Sequence, residues 1–220
     1  MIVVENIDVH GFEHAIRAAR NPMSSWSKSD SNGDMIGTAD MDLLKRLTMA
    51  GVPHRTFLRM IVVWMDVTAP LYFWKEADRY TVGKTQVSTS TMHKIHAKDF
   101  SLADFSYEHL LNNLTNDDEV YWYNEEYPNT SLDVLDDLVG MLNRQRRLYL
   151  KTKDKKYWWQ LIQLLPSSYN QKRTIMMSYE VCLKIIEERT GHRLDEWNDF
   201  VETLKKLPYM EQFAVCLEKS

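Results

Sequence analysis

Cysteine is scarce in this chain, and positive charge is not in excess. Cys182 and Cys216 are the two cysteines among 220 residues, and both lie in apolar surroundings near the C-terminus. Buried free thiols are usual in such surroundings, so we expect a reducing compartment. Lys and Arg number 27 against 31 Asp and Glu, a formal net charge of -4. Because that balance gives no general attraction to a polyanion, a nucleic-acid partner would require a local basic patch, and we expect no such partner.

Long apolar runs and the common short motifs are missing as well. No stretch reaches the roughly 18 apolar residues that a membrane-spanning helix needs, and residues 1–5 lack the basic and apolar regions of a signal peptide. We therefore expect a cytoplasmic protein with no membrane partner. The sequence contains no Walker A loop, Rossmann glycine fingerprint, CxxC pair or HExxH helix. His93 and His96 lack further ligands at a diagnostic distance, so no metal site is predicted.

The composition favours a folded protein with a large core. Hydrophobic residues make up 44% of the chain and aromatic residues 11%, which leaves no room for a largely disordered chain. The length suits one core, so we predict a single domain over residues 1–220 with an elaborated helical middle at about 100–157. Seven Trp, eleven Tyr and twelve Met also suit a subunit interface, and they predict a homo-oligomer.

Hydrophobic periodicity predicts a mixture of strands and helices. In the first part of the chain we predict a strand at Ile2–Val9, a helix at Phe12–Arg20, a polar surface loop at Met23–Gly37, a helix at Asp40–Ala50, a central strand at Thr56–Val67 and a helix from Pro70 to about Arg79. In the last third we predict a helix at Tyr157–Leu165, a strand at Arg173–Ser178, a helix ending at Arg189 and a helix at Leu194–Lys206. The middle is predicted to consist of helices broken at residues 127–129.

Two segments carry polar groups that suit an anion. Residues 79–91 bring hydroxyls, an amide, Arg79 and Lys84 together, and Gly83 permits close approach of a backbone. An exposed threonine-rich strand is an equally good interpretation of this segment. The second segment, Arg144 to Lys156, is strongly basic and could contact phosphate, but charged runs on helices are more often solvated faces, and we interpret it so.

The first of these segments resembles the signature RHRxxSxNExSxR of the flavin-dependent thymidylate synthases, the ThyX family. In that family the signature follows a short helix containing proline, and here residues 69–79 occupy that place without a gap. Arg79 matches the first arginine, Thr89 stands for the second serine, and Gln86 replaces the asparagine. The remaining signature positions differ, and they are occupied by Tyr80, Thr81, Lys84, Val87 and Thr91.

Other blocks support the resemblance at both ends of the chain. Residues 15–20 are similar to the family's first helix of Ala and Arg, and residues 43–54 to its helix, glycine turn and histidine-led strand. Leu164-Leu165-Pro166 and the following strand and helix match a later block, in which the family's Asn and Arg are replaced by Ser178 and Glu180. The resemblance covers about the first hundred and the last sixty residues.

The resemblance implies an α+β subunit with a mostly antiparallel sheet and surrounding helices, assembled as a homotetramer with FAD between subunits. It assigns Arg79, Lys84 and Gln86 to cofactor binding, and Thr89 and Arg189 to a nucleotide substrate such as dUMP. It assigns no catalytic residue. Arg79 and Arg189 each end a predicted helix, so both could instead cap helix carbonyl groups.

Three functions follow from the resemblance. Because several of the family's arginines are replaced, we expect a diverged relative that binds a nucleotide or flavin at a subunit interface. An active enzyme that methylates dUMP with methylenetetrahydrofolate is one alternative. A non-catalytic oligomeric scaffold protein is the other.

Overall fold

A computed structural model describes residues 2–112 and 130–217 of the chain. These residues form two compact units. The sheet unit comprises residues 2–68, 75–87 and 172–217, and the helical unit comprises residues 69–74, 88–112 and 130–171. The break predicted at residues 127–129 lies outside the described residues, and the single domain over 1–220 stays a prediction.

The described residues form four strands and nine α-helices. The strands are β1 (Val3–His10), β2 (Val62–Pro70), β3 (Lys84–Ser88) and β4 (Asn170–Ser178). The helices are α1 (Phe12–Arg20), α2 (Thr38–Met49), α3 (Leu71–Ala77), α4 (Thr91–Lys94), α5 (Ser131–Thr152), α6 (Lys155–Leu164), α7 (Tyr179–Arg189), α8 (Asp195–Lys205) and α9 (Met210–Leu217). None of these helices is long and apolar enough to cross a membrane.

The strands form one antiparallel sheet in the order β1-β2-β4-β3, which confirms the predicted fold class. The pairing of β1 with β2 runs from Val3 opposite Thr68 to His10 opposite Val62. Its register shifts between Glu5 and Asp8. Asn6 adopts a φ of 52° in this interval, a left-handed conformation that Asn tolerates better than most residues.

The core of the sheet unit follows from alternation along β2. Val63, Met65 and Val67 are buried, whereas Trp64 between them is exposed, as the two-residue repeat of a strand with one covered face requires. The helices α7, α8 and α9 pack against one another and supply a large part of this core. Their largest buried side chains are Tyr179, Trp197, Phe200 and Phe213.

Two sequence predictions in this region were wrong at the level of element type, and one helix was missed. Residues Thr56–Arg59 form a 3-10 turn and not the first part of the central strand. Its two apolar residues, Phe57 and Leu58, are both buried, so their burial does not need a strand. Pro70 ends β2 and does not open a helix, and a further helix, α9, follows the last predicted one.

The helical unit has its own core, built mainly from the antiparallel pair α5 and α6. Thr130 and Asp133 form a capping box at the start of α5, and Asp154 caps α6. The core of this unit consists of Ile95, Phe100, Phe105, Leu135, Val139, Leu142 and Leu161. Helices therefore dominate the described part of the predicted elaborated middle.

Polar contacts hold the predicted surface loop between α1 and α2 in place. Asp40 on α2 is fully buried and accepts a hydrogen bond from Arg20 Nε at 2.5 Å. Its other oxygen, Oδ2, accepts from the hydroxyls of Ser29 and Ser31 at 2.7 and 2.6 Å. The backbone N–H groups of Asp30 and Ser31 donate to the same oxygen at 3.1 Å. The loop is thus organised around one carboxylate.

Burial by itself would raise the pKa of Asp40, because it removes water from the charged form. The hydrogen bonds from Ser31, Ser29, Arg20 and the backbone of Asp30 outweigh that effect and lower the pKa of Asp40 to about 2. Since the pKa in the folded chain lies below the ordinary value for aspartate of about 3.9, the carboxylate stabilises the fold above about pH 4. This contribution is lost as the pH falls towards 2.

Asp40→Asn should therefore lower the free energy of unfolding at neutral pH by about 3 kcal/mol, because it leaves Arg20 buried without its ion-pair partner. Urea denaturation measures the effect, with the exposed Asp42→Asn on the same helix as the control. The difference between wild type and Asp40→Asn should shrink between about pH 4 and pH 2. Equal stabilities at pH 7 would contradict this account of the loop.

Candidate functional site

A cleft of about 570 Å³ lies within the sheet unit. One wall comes from the segment that carries Arg55 and Arg59, and a second from the loop at Val82 and Gly83. Ser178 and one face of α7 form the third wall, with Glu180, Val181, Lys184, Glu187 and Glu188. The cleft therefore combines apolar side chains with charges of both signs.

Two backbone hydrogen bonds hold these walls together where β4 passes into α7. The N–H of Ser178 donates to the carbonyl of Gly83 at 2.9 Å, and the N–H of Tyr179 donates to the carbonyl of Ile61 at 2.9 Å. The first N–H groups of a helix have no partner inside the helix. Here they bind carbonyls of two other segments and so fix the position of both.

Gly83 is required by this arrangement. Its φ is 77°, in the left-handed region, and a Cβ added to it would lie 2.9 Å from Ser178 Oγ and 3.1 Å from Val181 Cγ2. Any side chain would therefore strain the backbone and collide with the start of α7. The sequence suggested that Gly83 allows close approach of a ligand, and the structure shows close approach of the protein itself.

A buried ion pair lies on the floor of the cleft. Arg55 Nε donates to Glu180 Oε1 at 3.1 Å, and the two side chains are 7% and 15% exposed. The other carboxylate oxygen, Glu180 Oε2, is buried and has no hydrogen-bond partner among the described residues. Because a buried acceptor without a partner costs free energy, this oxygen is suited to a donor supplied by a ligand.

The other charged groups of the cleft are more exposed. Arg59 is exposed, and Lys184 lies 3.7 Å from Glu188 on the surface of α7. Three basic and three acidic side chains line the cleft in all. A ligand with a single phosphate group would thus meet a mixed surface with Arg59 available at its edge.

Two of the predicted site residues, Lys84 and Gln86, gather around Asp78. Gln86 Nε2 and Arg173 both donate to Asp78 Oδ1, at 2.7 and 2.8 Å. The Lys84 ammonium donates to the carbonyl of Ala77 at 2.6 Å and lies 3.9 Å from Asp78. Burial lowers the pKa of Lys84, and Asp78 partly opposes that effect. Gln86 Oε1 is buried without a partner among the described residues.

Arg189 forms the centre of a second polar network. Its guanidinium donates to Glu76 at 2.8 Å and to the hydroxyl of Tyr80 at 3.0 Å, and it lies over the ring of Trp197 at 4.7 Å. The Tyr80 hydroxyl in turn donates to Glu188 at 2.8 Å. These side-chain contacts hold Arg189 within the sheet unit.

Arg79 and Thr89 are both exposed. The N–H of Arg79 donates to the carbonyl of Glu76, and the carbonyl of Thr89, in the helical unit, accepts from Gln171. Among the described residues of the sheet unit, the lining of the cleft does not include Arg79, Lys84, Gln86 or Arg189. Their ligand-binding roles, and that of Thr89, stay predictions.

Sequence reasoning missed Arg55, Arg59 and Lys184 as site residues. Arg55 precedes the 3-10 turn, and Arg59 is its last residue. Because this turn was assigned to a strand, nothing indicated that the two arginines line one cleft. Glu180 was noticed only as a replacement for a family arginine. Its ion-pair partner, Arg55, lies 125 positions away in the sequence. Hydrophobic periodicity gives no information about contacts over that separation.

Other chemistries considered from the sequence gain no support. Cys182 is buried on α7, and burial raises the pKa of its thiol well above the ordinary value, which opposes a nucleophilic role. The described residues contain no group of three or more His, Cys, Asp or Glu side chains that could hold a metal ion.

Scans against models of protein families and against curated proteins find no match. Solved structures do match. Thymidylate synthase X (ThyX) from Helicobacter pylori, crystallised with FAD and dUMP, is 17% identical with a TM-score of 0.67, covering 99% of this chain and 100% of that chain. A second ThyX structure from H. pylori with the same ligands is 17% identical with a TM-score of 0.68, covering 97% and 98%.

The UMP/dUMP methylase PolB from Streptomyces cacaoi, bound with 5-Br dUMP, is 15% identical with a TM-score of 0.62. This match covers 100% of this chain and 95% of that chain. At sequence identities this low, structural similarity over whole chains shows a shared fold and nothing more. The chain therefore has a diverged ThyX-like fold, as the resemblance of its sequence predicted.

Proposed function

We propose that this chain is a diverged relative of the flavin-dependent thymidylate synthases and that its cleft binds a nucleotide or a flavin. The fold is shared with proteins that were crystallised with FAD and dUMP or with 5-Br dUMP. The observation that carries the proposal is the buried oxygen Glu180 Oε2, an acceptor without a partner in the lining of the cleft.

This acceptor suits the chemistry of both ligands. Uracil and the flavin ring each carry an N–H between two carbonyls, and ribose and ribityl groups carry hydroxyls. Any of these donors would satisfy Glu180 Oε2 with a charge-assisted hydrogen bond. Arg55 pairs with the other oxygen of the carboxylate, at 3.1 Å, and so offsets part of the cost of removing water from its charge when a ligand binds.

Arg59 is the group in the cleft that is best placed for phosphate. It is exposed, whereas Arg55 is buried against Glu180. The planar guanidinium of arginine binds phosphate with two parallel hydrogen bonds, which makes it more specific than an ammonium group. We therefore assign the phosphate of the ligand to Arg59 and its N–H or hydroxyl donors to Glu180.

The size and lining of the cleft fit a flavin as well as a nucleotide. Its volume of about 570 Å³ lies within the range of small-molecule sites, and Val52, Val82 and Val181 give it apolar walls for a ring. A bound flavin would supply hydride transfer. The residues of the cleft that would hold it are Arg59 and Glu180. The resemblance also assigns Arg79, Lys84 and Gln86 to the cofactor, but these three lie outside the lining of the cleft.

The first prediction for this site concerns phosphate recognition. Arg59→Ala should weaken the binding of dUMP by about tenfold while leaving the binding of deoxyuridine unchanged, because the nucleoside lacks the phosphate. Isothermal titration calorimetry measures both ligands. The matched control is Arg46→Ala, which removes an exposed arginine from α2 outside the lining of the cleft.

Glu180→Gln separates recognition of the ring from recognition of the phosphate. It should weaken dUMP and deoxyuridine alike, because it removes the charged acceptor and its pairing with Arg55. FMN and FAD are titrated in the same way. If wild type binds none of these ligands at millimolar concentration, the cleft is not a nucleotide or flavin site, and the shared fold alone stands.

A second prediction separates the two arginines that the resemblance assigns to binding. Arg79→Ala should weaken dUMP or flavin binding by about tenfold or more and leave thermal stability unchanged, because Arg79 is exposed. Arg189→Ala should lower the free energy of unfolding by about 2 kcal/mol, because it breaks contacts to Glu76, Tyr80 and Trp197. A destabilised Arg79→Ala or a fully stable Arg189→Ala would reverse these assignments.

The internal contacts of Lys84 and Arg189 favour a protein that has lost thymidylate synthase activity over an active enzyme. Complementation of a thymidine auxotroph tests this directly, and growth would establish the active enzyme. A colourless protein that binds no ligand but assembles into an oligomer would favour the scaffold. We propose a homotetramer, and light scattering at micromolar concentration that gave a monomer mass would contradict it.

A further inference from the structure

The turn between α5 and α6 concentrates positive charge. Residues 144–156 include seven Lys and Arg and one Asp, a net charge of +6, in a chain whose formal net charge is -4. The overall charge disfavours a nucleic-acid partner unless a local basic patch exists. This segment, which we call the basic turn, is such a patch.

The fold displays these charges on a rigid support. Arg144, Arg147 and Lys151 are spaced three and four residues apart on α5, so they share one face of the helix. Lys153 ends α5 with a φ of 58°, and Asp154 caps α6 through its bond to the N–H of Lys156 at 3.0 Å. The chain thus reverses within two residues and brings the basic end of α5 next to the basic start of α6.

One arginine of the segment has a structural role, which sets it apart from the rest. Arg146 Nε donates to the carbonyl of His96 at 2.9 Å, and its guanidinium pairs with Asp99 at 2.6 Å. The side chains of Arg144, Arg147 and the lysines at 151, 153, 155 and 156 are exposed. Asp154, the single acid of the segment, lies 3.1 Å from Lys156.

Aromatic rings lie among the cations. Lys155 lies over the ring of Trp159 at 5.5 Å, Lys156 over that of Tyr157 at 4.8 Å, and Lys153 over that of Tyr149 at 5.9 Å. Trp159 is 42% exposed. Its neighbour Trp158 is anchored by a bond from Nε1 to the carbonyl of Met92 at 3.2 Å. The basic turn therefore presents ring faces together with cations.

We propose that the basic turn binds single-stranded nucleic acid. Exposed Lys and Arg contact the phosphates, and the face of Trp159 stacks on a base once Lys155 moves from the ring to a phosphate. Alternating cations and aromatic rings are the combination that single strands need, since each nucleotide offers one phosphate and one flat base. The ring of Tyr157, which has Lys156 over it at 4.8 Å, offers a place for a second base.

An anionic membrane fits the same surface less well. A membrane-binding face needs apolar side chains that insert between lipids, whereas here the rings of Tyr149, Tyr157 and Trp159 each have a lysine over the face. A nucleotide can satisfy both members of such a pair, because its phosphate binds the lysine and its base stacks on the ring. A duplex is also disfavoured, because its bases are already stacked on one another.

The test is fluorescence anisotropy with labelled oligodeoxythymidylate and oligouridylate of about 20 nucleotides, at about 50 mM salt. Wild type should bind with a micromolar Kd, and log Kd should rise linearly with log salt concentration. Lys153→Glu/Lys155→Glu should weaken binding at least tenfold and make the salt dependence shallower. Trp159→Ala should weaken binding by about fivefold or more with an unchanged salt slope, because it removes a stacking partner.

The matched control is Lys28→Glu/Lys206→Glu, which makes the same change of charge at exposed positions of the sheet unit and should bind like wild type. Circular dichroism verifies that each variant is folded. Absence of oligonucleotide binding at about 50 mM salt would overturn the proposal. Equal loss in the control, equal binding of dextran sulfate, or binding of phosphatidylserine vesicles in place of oligonucleotide would overturn it too.

Discussion

The junction between β4 and α7 is the constraint on which the candidate site depends. The N–H groups of Ser178 and Tyr179 bind the carbonyls of Gly83 and Ile61, both at 2.9 Å. These bonds involve backbone atoms, so they persist through most changes of side chain. The loop at residue 83, the segment that ends at residue 61 and the start of α7 are thereby held around one cleft.

Backbone contacts of this kind are compatible with a fold shared at 15–17% identity, because they do not depend on the side chains that differ. Glu180, which stands where the resemblance expects an arginine, forms an ion pair with Arg55. Lys84 and Arg189, which occupy positions assigned to ligands, now bind protein groups. Glu180 Oε2 has no hydrogen-bond partner among the described residues, and it is the acceptor that we propose for a ligand.

The sequence was most informative where periodicity and burial agree. The helix at Phe12–Arg20 was predicted with the bounds that the structure has, and the run of β-branched and aromatic residues before Val67 identified most of β2. Phe57 and Leu58 led to a wrong strand prediction, because a 3-10 turn can bury two apolar side chains as well as a strand can. The cleft could not be predicted, since Arg55 and Glu180 are separated by 125 positions and meet only in the folded chain.

The central claim is that a nucleotide or flavin binds in the cleft of the sheet unit. Hydrogen–deuterium exchange of the full chain, with and without saturating dUMP or FMN, tests it most directly, because exchange locates the protected backbone. The account predicts slower exchange in peptides covering residues 55–59, 82–83 and 178–188. Ligand binding that leaves these peptides unchanged and protects another part of the chain would contradict it.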